Sequence, residues 1–178
     1  MHDEIAEAIK AYLLARSRFF EVAEKYPHEM SGNDNIIGRI GEYLALQFLR
    51  SKGRCPKKTK SLSQEGFDLE EGVEPEILRI SVKILTSENS KGLGAKLTDP
   101  WDEFLLIQFA TSDLSGTVGL ITREQFTQAR AIDPTLSANP RAKSSMLGRK
   151  GLIGRHGVVA ALPDVGPTIR LPGGALEF

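Results

Sequence analysis

The sequence predicts an α/β fold in which a central mixed sheet is flanked by helices. Apolar residues recur at helical spacing over 3–26 and 36–53, which indicates two amphipathic helices before any strand. Polar and apolar residues then alternate over 78–85, which is typical of a strand with one face in the core. At 178 residues, with 40% apolar and 26% charged residues, the chain is long enough to form one domain, 1–178, around its own core.

The two helices have recognisable ends. The first occupies most of 1–30, and we expect it to end at Pro27 because proline disrupts a helix interior. The second is expected to end at Gly53. Gly38 and Gly41 lie inside this second helix, where each costs about 1 kcal/mol relative to alanine. We therefore expect another backbone to pack closely against them.

Strands are expected after these helices, with one further helix over 123–131. The strand segments, in chain order, are 54–61, 66–70, 78–85, 103–109, 117–122 and 158–162. Prolines and glycines are frequent after residue 131, so long regular elements are not expected there apart from the last strand.

Cysteine content and hydropathy limit the class of protein. Cys55 is the sole cysteine, so an internal disulfide and a zinc site built of thiolates are both excluded. The three histidines are scattered, and the chain contains no Gly-x-x-x-x-Gly-Lys phosphate loop. With no signal peptide and no apolar run long enough to span a bilayer, the sequence predicts a cytoplasmic protein without membrane contact.

The net charge is zero, with 23 basic and 23 acidic residues, but these charges are unevenly distributed. Residues 31–60 carry a net +5, residues 61–80 a net −5 and residues 141–178 a net +4. This pattern is compatible with cation-binding carboxylates between two surfaces that hold a polyanion. An ordinary solvated surface explains it as well, and charge distribution alone favours that explanation.

A hairpin between the strands at 66–70 and 78–85 brings three polar residues together. The turn between them sets a register in which Asp68 lies opposite Ser81, with Cβ atoms about 5 Å apart, and Lys83 is a diagonal neighbour. A slip of one residue would separate them. Mg²⁺ prefers oxygen ligands and keeps several waters, so one or two carboxylates and a substrate phosphate can hold it. A nearby ammonium can orient or help deprotonate the attacking water.

These residues resemble the core of the PD-(D/E)XK nuclease superfamily, which has the restriction-endonuclease-like fold. The matching motifs are Glu42 in the second helix, Gly66-Phe67-Asp68 on one strand and Ile80-Ser81-Val82-Lys83 on the next. The resemblance covers 33–122, which leaves 123–178 as a C-terminal extension. It implies a Mg²⁺-dependent endonuclease that hydrolyses DNA phosphodiester bonds, with a restriction enzyme as one candidate and Mn²⁺ as an alternative cation.

The resemblance implies a role for each matching residue. Asp68 would be the principal metal ligand and Lys83 the catalytic lysine, while Glu42 would be a supporting acid that also binds the metal. The backbone carbonyl of Val82 would complete the metal shell. Ser81 would stand beside this shell, at the position where the family usually has an acid, so one carboxylate is missing.

Another acid is expected to replace the missing carboxylate. Glu42 is our first choice because it already belongs to the motif, and the alternatives lie downstream at Glu88, Asp99, Asp102 and Glu103. A second departure from the family pattern is the short segment 86–102, which barely accommodates the usual crossover helix.

Basic residues on both sides of the motifs are candidate contacts to nucleic acid, with DNA favoured over RNA. They are Lys57, Lys58, Lys60, Arg149, Lys150 and Arg155, the last three in a stretch expected to be a flexible loop. A solvated surface explains these residues equally well. Because cutting both strands of a duplex often uses a two-fold dimer, a homodimer is expected by analogy.

Two other functions fit the sequence. The first is a catalytically inactive nucleic-acid-binding module of the same fold, which would follow from the missing acid at position 81. The second is a protein-interaction subunit that uses the helix over 3–26. Metal binding separates the enzyme from both, and salt-dependent DNA binding separates the interaction subunit from the other two.

Overall fold

A computed structural model of the chain describes residues 2–30, 36–59, 66–86, 94–110 and 115–162. The helices within these ranges are α1 (His2–Lys25), α2 (Pro27–Met30), α3 (Ile36–Ser51), α4 (Arg123–Ile132) and α5 (Leu152–His156). The strands are β1 (Lys57–Lys58), β2 (Leu69–Glu71), β3 (Leu78–Thr86), β4 (Glu103–Phe109), β5 (Gly116–Thr122) and β6 (Val158–Ala161). None of the described helices combines the length and the apolar character needed to cross a bilayer.

All six strands lie in one sheet, in chain order from β1 to β6. Neighbouring strands are antiparallel except for β3 and β4, which are parallel. A parallel pair requires a connection that crosses over the sheet, and the described part of that connection, 94–102, is not helical. The prediction of an α/β fold with a mixed sheet flanked by helices is confirmed.

Two hydrophobic clusters lie on opposite faces of the sheet. On one face, Leu44 of α3 packs in a cluster with Ile80 of β3. On the other face, Phe126 of α4 and Ile153 of α5 pack in a cluster with Phe104 of β4. Successive side chains of a strand point to opposite faces, so each central strand contributes to both clusters.

Arg39 of α3 joins the N-terminal helices to the rest of the fold. Its guanidinium carbon lies 5.1 Å and 5.3 Å from the ring centres of Phe19 and Phe20 in α1. Its Nε donates a 2.6 Å hydrogen bond to the carbonyl of Met30 at the end of α2. The first helix ends at Lys25, before Pro27 as the sequence predicted, and Pro27, which lacks an N–H, begins the short helix α2.

The close approach predicted at Gly41 is to a side chain rather than to a backbone. A Cβ atom added to Gly41 would lie 2.1 Å from Cγ1 of Ile84 on β3. The absence of a side chain therefore lets α3 lie directly against β3. This contact also sets the position of the next residue, Glu42, above the sheet.

Apart from α4, residues 123–162 contain only short regular elements, as the sequence predicted, but the basic stretch over 149–156 is partly helical. Leu152 and Ile153 are buried, and they hold α5 on the sheet, so the basic stretch around it is not a flexible loop throughout. β6 pairs with β5, which adds a strand from the predicted C-terminal extension to the sheet that carries the motifs. At the other edge, the described part of the strand predicted over 54–61 contains the two residues of β1, and residues 60 and 61 lie outside the described residues.

Candidate active site

The hairpin of β2 and β3 has the register that the sequence predicted. Leu69 pairs with Ile80, and Glu71 pairs with Leu78. Asp68 immediately precedes β2, and its backbone N–H donates a 3.0 Å hydrogen bond to the carbonyl of Ile80. The register therefore brings Asp68 beside the middle of β3.

The carboxylate of Asp68 is held by the backbone of β3. Its Oδ2 accepts a 2.7 Å hydrogen bond from the N–H of Val82. If β2 were longer, this N–H group would instead pair with the backbone of β2. The Nζ of Lys83 lies 3.6 Å from the same oxygen. The side chains of Asp68 and Lys83 are 29% and 15% exposed, so this ion pair is partly shielded from water and salt.

Glu42 and Lys58 form a second ion pair. The Nζ of Lys58, on β1, lies 2.5 Å from Oε2 of Glu42, on α3, and their side chains are 9% and 22% exposed. Burial raises the pKa of Glu42, and the negative charge of Asp68 raises it further, against the opposing effects of Lys58 and Arg39. Because Asp68 acts on Glu42 electrostatically, the two carboxylates belong to one region of the structure.

We call Glu42, Lys58, Asp68 and Lys83 the charged cluster. It contains two carboxylates and two ammonium groups, and its residues come from α3, β1, the start of β2 and β3. Two carboxylates are hard oxygen donors of the kind that Mg²⁺ prefers, and Mg²⁺ usually completes its shell with water and substrate phosphate. Among the described residues, no three His, Cys, Asp or Glu side chains are grouped closely enough to hold a metal ion. Two carboxylates do not make a closed site of protein ligands alone, so water and substrate would have to supply the other ligands of a cation held here.

The sequence predicted that Ser81 lies on an open polar face, but in the structure it does not. Its side chain is fully buried, and its Oγ has no hydrogen-bond partner among the described residues. Its parallel partner on β4 is Phe104, which belongs to the hydrophobic cluster beneath α4 and α5. The predicted alternation along β3 is present, but the sequence alone did not show that this part of the sheet face is covered.

Two of the alternatives to Glu42 are bound outside the charged cluster. Asp99 pairs with Arg123. Asp102 accepts a 2.8 Å hydrogen bond from the backbone N–H of Arg79, near the start of β3. The partners of both carboxylates lie outside the charged cluster, whereas Glu42 is the acid whose pKa the charge of Asp68 raises.

Glu103, a third alternative, belongs to a separate ion-pair network. Arg54 donates a 2.8 Å hydrogen bond to Glu103 and a 2.7 Å hydrogen bond to Glu71. Burial alone would raise the pKa of Glu71, but the hydrogen bonds from Arg54 and from the N–H of Cys55 outweigh burial and lower it. The fourth alternative, Glu88, lies outside the described residues.

The basic residues predicted to contact nucleic acid differ in their surroundings. The Lys58 side chain is nearly buried and paired with Glu42, so its ammonium does not lie on an open surface. The β1–β2 pairing explains this, because Lys58 lies opposite Leu69, whose side chain is in the core beneath α3. Lys60 lies outside the described residues. The predicted contacts with exposed side chains are Lys57, Arg149, Lys150 and Arg155.

Comparison with known proteins adds little to this geometry. No known protein family and no curated protein matches the chain. Among solved structures, a bacterial homing endonuclease is similar over 64% of this chain and 77% of its own, with a TM-score of 0.36 and 14% sequence identity. A TM-score of this size does not establish a shared fold, so function has to be argued from the charged cluster itself.

Proposed function

We propose that the protein is a Mg²⁺-dependent endonuclease that hydrolyses DNA phosphodiester bonds at the charged cluster. The observation that carries this proposal is the position of the Asp68 carboxylate, which is fixed by the N–H of Val82 and lies 3.6 Å from the ammonium of Lys83. An acid and a lysine in this arrangement supply the two functions that phosphodiester hydrolysis needs, a cation site and a positive group beside the reacting water.

Asp68 and Glu42 would hold the cation, with the backbone carbonyl of Val82 as a third oxygen donor. Mg²⁺ or Mn²⁺ bound there would neutralise charge on the phosphate and lower the pKa of a bound water. Asp68 needs no rearrangement to serve as a ligand, because its carboxylate is already held by the backbone. Glu42 is paired with Lys58, so its pairing would have to change or be shared when a cation binds.

The two lysines of the cluster would have different tasks. Lys83 would orient the attacking water and stabilise the negative charge that develops on the phosphate oxygens. Lys58 would keep Glu42 ionised in the absence of a cation, because burial disfavours the charged carboxylate. Lys58 is therefore a positioning residue in this proposal and Lys83 a catalytic one.

The test is cleavage of supercoiled plasmid with Mg²⁺, with Mn²⁺ or with EDTA. Asp68→Asn keeps a side-chain oxygen that can accept the hydrogen bond from Val82 but loses the charge that binds a cation. The matched control is Asp102→Asn, because Asp102 also accepts a backbone N–H of β3, from Arg79, but lies outside the cluster. We expect cleavage by the wild type and by Asp102→Asn, and none by Asp68→Asn or with EDTA. Equal cleavage by both variants would contradict the proposal.

A second candidate function is a nucleic-acid-binding module without activity. It is favoured by the fully buried Ser81, which leaves the charged cluster with two carboxylates. Salt-dependent DNA binding without cleavage in either cation would support this module.

For the enzyme, we extend the proposal to a homodimer that cuts both strands of a duplex. The molar mass of the protein in solution, measured with a short DNA duplex bound, tests this extension.

A further inference from the structure

A basic cleft lies on the side of the sheet opposite α3. It has a volume of about 570 Å³, within the range of pockets that bind small organic ligands. Three exposed cations stand around it, and its floor is apolar. The cations are Lys96, Arg141 and Lys143, and the floor is formed by Leu136, Pro140 and Met146.

The cleft is built on a fixed backbone frame. Lys96 and Arg141 pair across an isolated antiparallel bridge. On either side of this bridge, the N–H of Ala142 donates to the carbonyl of Ala95 over 3.0 Å, and the N–H of Leu97 donates to the carbonyl of Pro140 over 2.9 Å. These bonds hold two segments that are distant in sequence, so the cations are brought together before any ligand binds.

The lining of the cleft is positively charged. Among the described residues, no acidic side chain lines it, and its remaining polar residues include the amide of Asn139 and the hydroxyl of Ser137. The acid nearest in sequence to the lining, Asp133, is engaged by both the N–H and the hydroxyl of Thr135. Three cations and neutral donors above an apolar floor are complementary to a phosphate group attached to a sugar and a base.

The cleft lies on the same face of β3 as Lys83 of the charged cluster. Leu85 lies two residues beyond Lys83 on the same face of the strand, about 7 Å away. A Cβ atom added to Gly94 would meet both Leu85, at 3.0 Å, and the backbone of Ala142, so the frame of the cleft packs on Leu85. A nucleic-acid strand bound at Lys83 would therefore reach the cleft within a few nucleotides.

We infer that the basic cleft binds one nucleotide of the nucleic-acid strand that is held at the charged cluster. Its phosphate lies among Lys96, Arg141 and Lys143, and its sugar and base lie on the apolar floor. The inference rests on the proposed function, since it takes the occupant to be part of the substrate. It gives the protein a second contact to its substrate, separate from the site of hydrolysis.

The test is fluorescence anisotropy of labelled DNA in EDTA, where binding is measured without cleavage. Lys96→Ala/Lys143→Ala removes two charges from the cleft, and Arg18→Ala/Lys25→Ala removes two exposed charges of α1 that belong to neither the cleft nor the charged cluster. We expect the first double variant to bind about tenfold more weakly and to lower the slope of log K against log salt by about 1 to 2, as for one or two lost phosphate contacts. The DNA affinity and the salt slope of the second double variant should stay near those of the wild type. A third variant, Met146→Gln, tests the apolar floor without a change of charge, and we expect it to weaken binding at an unchanged salt slope.

The outcomes separate this inference from the proposed function. If the wild type binds DNA and both double variants weaken it equally, or if neither does, the cleft is not a specific contact and the inference is overturned while the proposed function stands. If the wild type shows no salt-dependent DNA binding, both are overturned. Tighter binding of a free nucleoside monophosphate than of an oligonucleotide would also overturn the inference, because the occupant would then be a free nucleotide.

Discussion

The ammonium of Lys58 lies 2.5 Å from the carboxylate of Glu42, and this ion pair ties the edge strand β1 to α3. The Lys58 side chain is nearly buried, so neither partner can be removed without leaving a charge in poor contact with water. Lys58 is thus a structural partner of the acid that we assign to the cation site, although its sequence position suggested a free phosphate contact.

Removal of Lys58 should destabilise the protein. We expect Lys58→Met to lower the free energy of unfolding by roughly 2–3 kcal/mol, which is less than for a fully buried pair because Glu42 keeps some contact with water. The double variant Lys58→Met/Glu42→Gln should recover most of this loss, since no charge is then left unpaired. Urea denaturation of the wild type, both single variants and the double variant measures the coupling. Additive effects of the two substitutions would show that the ion pair contributes nothing.

The raised pKa of Glu42 predicts a pH dependence of stability. Burial is the main cause of this rise, and a carboxyl whose pKa is higher in the folded than in the unfolded protein binds protons preferentially when folded. Its contribution to stability is therefore complete below about pH 4.5, the ordinary pKa, and is lost as the pH rises through the raised value.

The measurement is the free energy of unfolding of the wild type and of Glu42→Gln from pH 4 to pH 7. Carboxyls with lowered pKa values, such as Glu71, act in the opposite direction but are common to both proteins. We expect the wild type to lose stability relative to Glu42→Gln as the pH rises through this window. A constant difference would contradict the raised pKa.

The register of the β2–β3 hairpin could be predicted from the sequence because two constraints act together there. Alternation over 78–85 fixes which side chains share a face, and a short turn leaves little freedom in the pairing. Asp68 and Lys83 consequently lie together as predicted. Local patterns of this kind also predicted β4, α3 and α4 to within one or two residues.

The remaining differences involve contacts between segments distant in sequence. Ser81 is buried because α4 and α5 cover one face of the sheet, and no local sequence pattern encodes that cover. Lys58 meets Glu42 only after β1 pairs with β2. The frame of the basic cleft joins Lys96 to Arg141 across more than forty residues. Such contacts follow from tertiary packing, which periodicity does not reveal.

Lys83 should affect turnover more than DNA affinity. Because its ammonium lies beside the proposed ligand Asp68, we expect Lys83→Met to lower the cleavage rate constant by about a hundredfold or more. DNA affinity in EDTA should change by less than about threefold, since one phosphate contact at most is lost. Lys25→Met, which removes an exposed lysine of α1 outside the charged cluster and the basic cleft, is the control. An equal loss of rate and affinity in Lys83→Met would instead make Lys83 a phosphate clamp.

We expect a small and a large substitution of Ser81 to have opposite effects on the stability of the protein. Ser81→Ala removes a buried hydroxyl that has no hydrogen-bond partner among the described residues, so stability should be unchanged or rise by up to about 1 kcal/mol. Ser81→Glu adds a carboxylate at this position but places it where the structure is closed. We expect it to lose at least about 1–3 kcal/mol from overpacking and to gain no cleavage. Tighter Mg²⁺ binding by a folded Ser81→Glu protein would show that position 81 does face the cation site.

Gly41 provides a test of how the fold positions Glu42. Because an added Cβ would lie 2.1 Å from Cγ1 of Ile84, Gly41→Ala must move α3 away from β3 or force Ile84 out of its rotamer, at a cost of about 1–3 kcal/mol. Moving α3 also moves Glu42 relative to Asp68, so Mg²⁺ affinity, measured calorimetrically, should fall together with stability. In Gly41→Ala/Ile84→Ala the obstructing atoms are gone, and helix and acid can return to their places. We expect this double variant to bind Mg²⁺ more tightly than Gly41→Ala, although the shortened Ile84 leaves a cavity that costs stability of its own. If the double variant binds no better than Gly41→Ala, the contact between α3 and β3 does not control the position of Glu42.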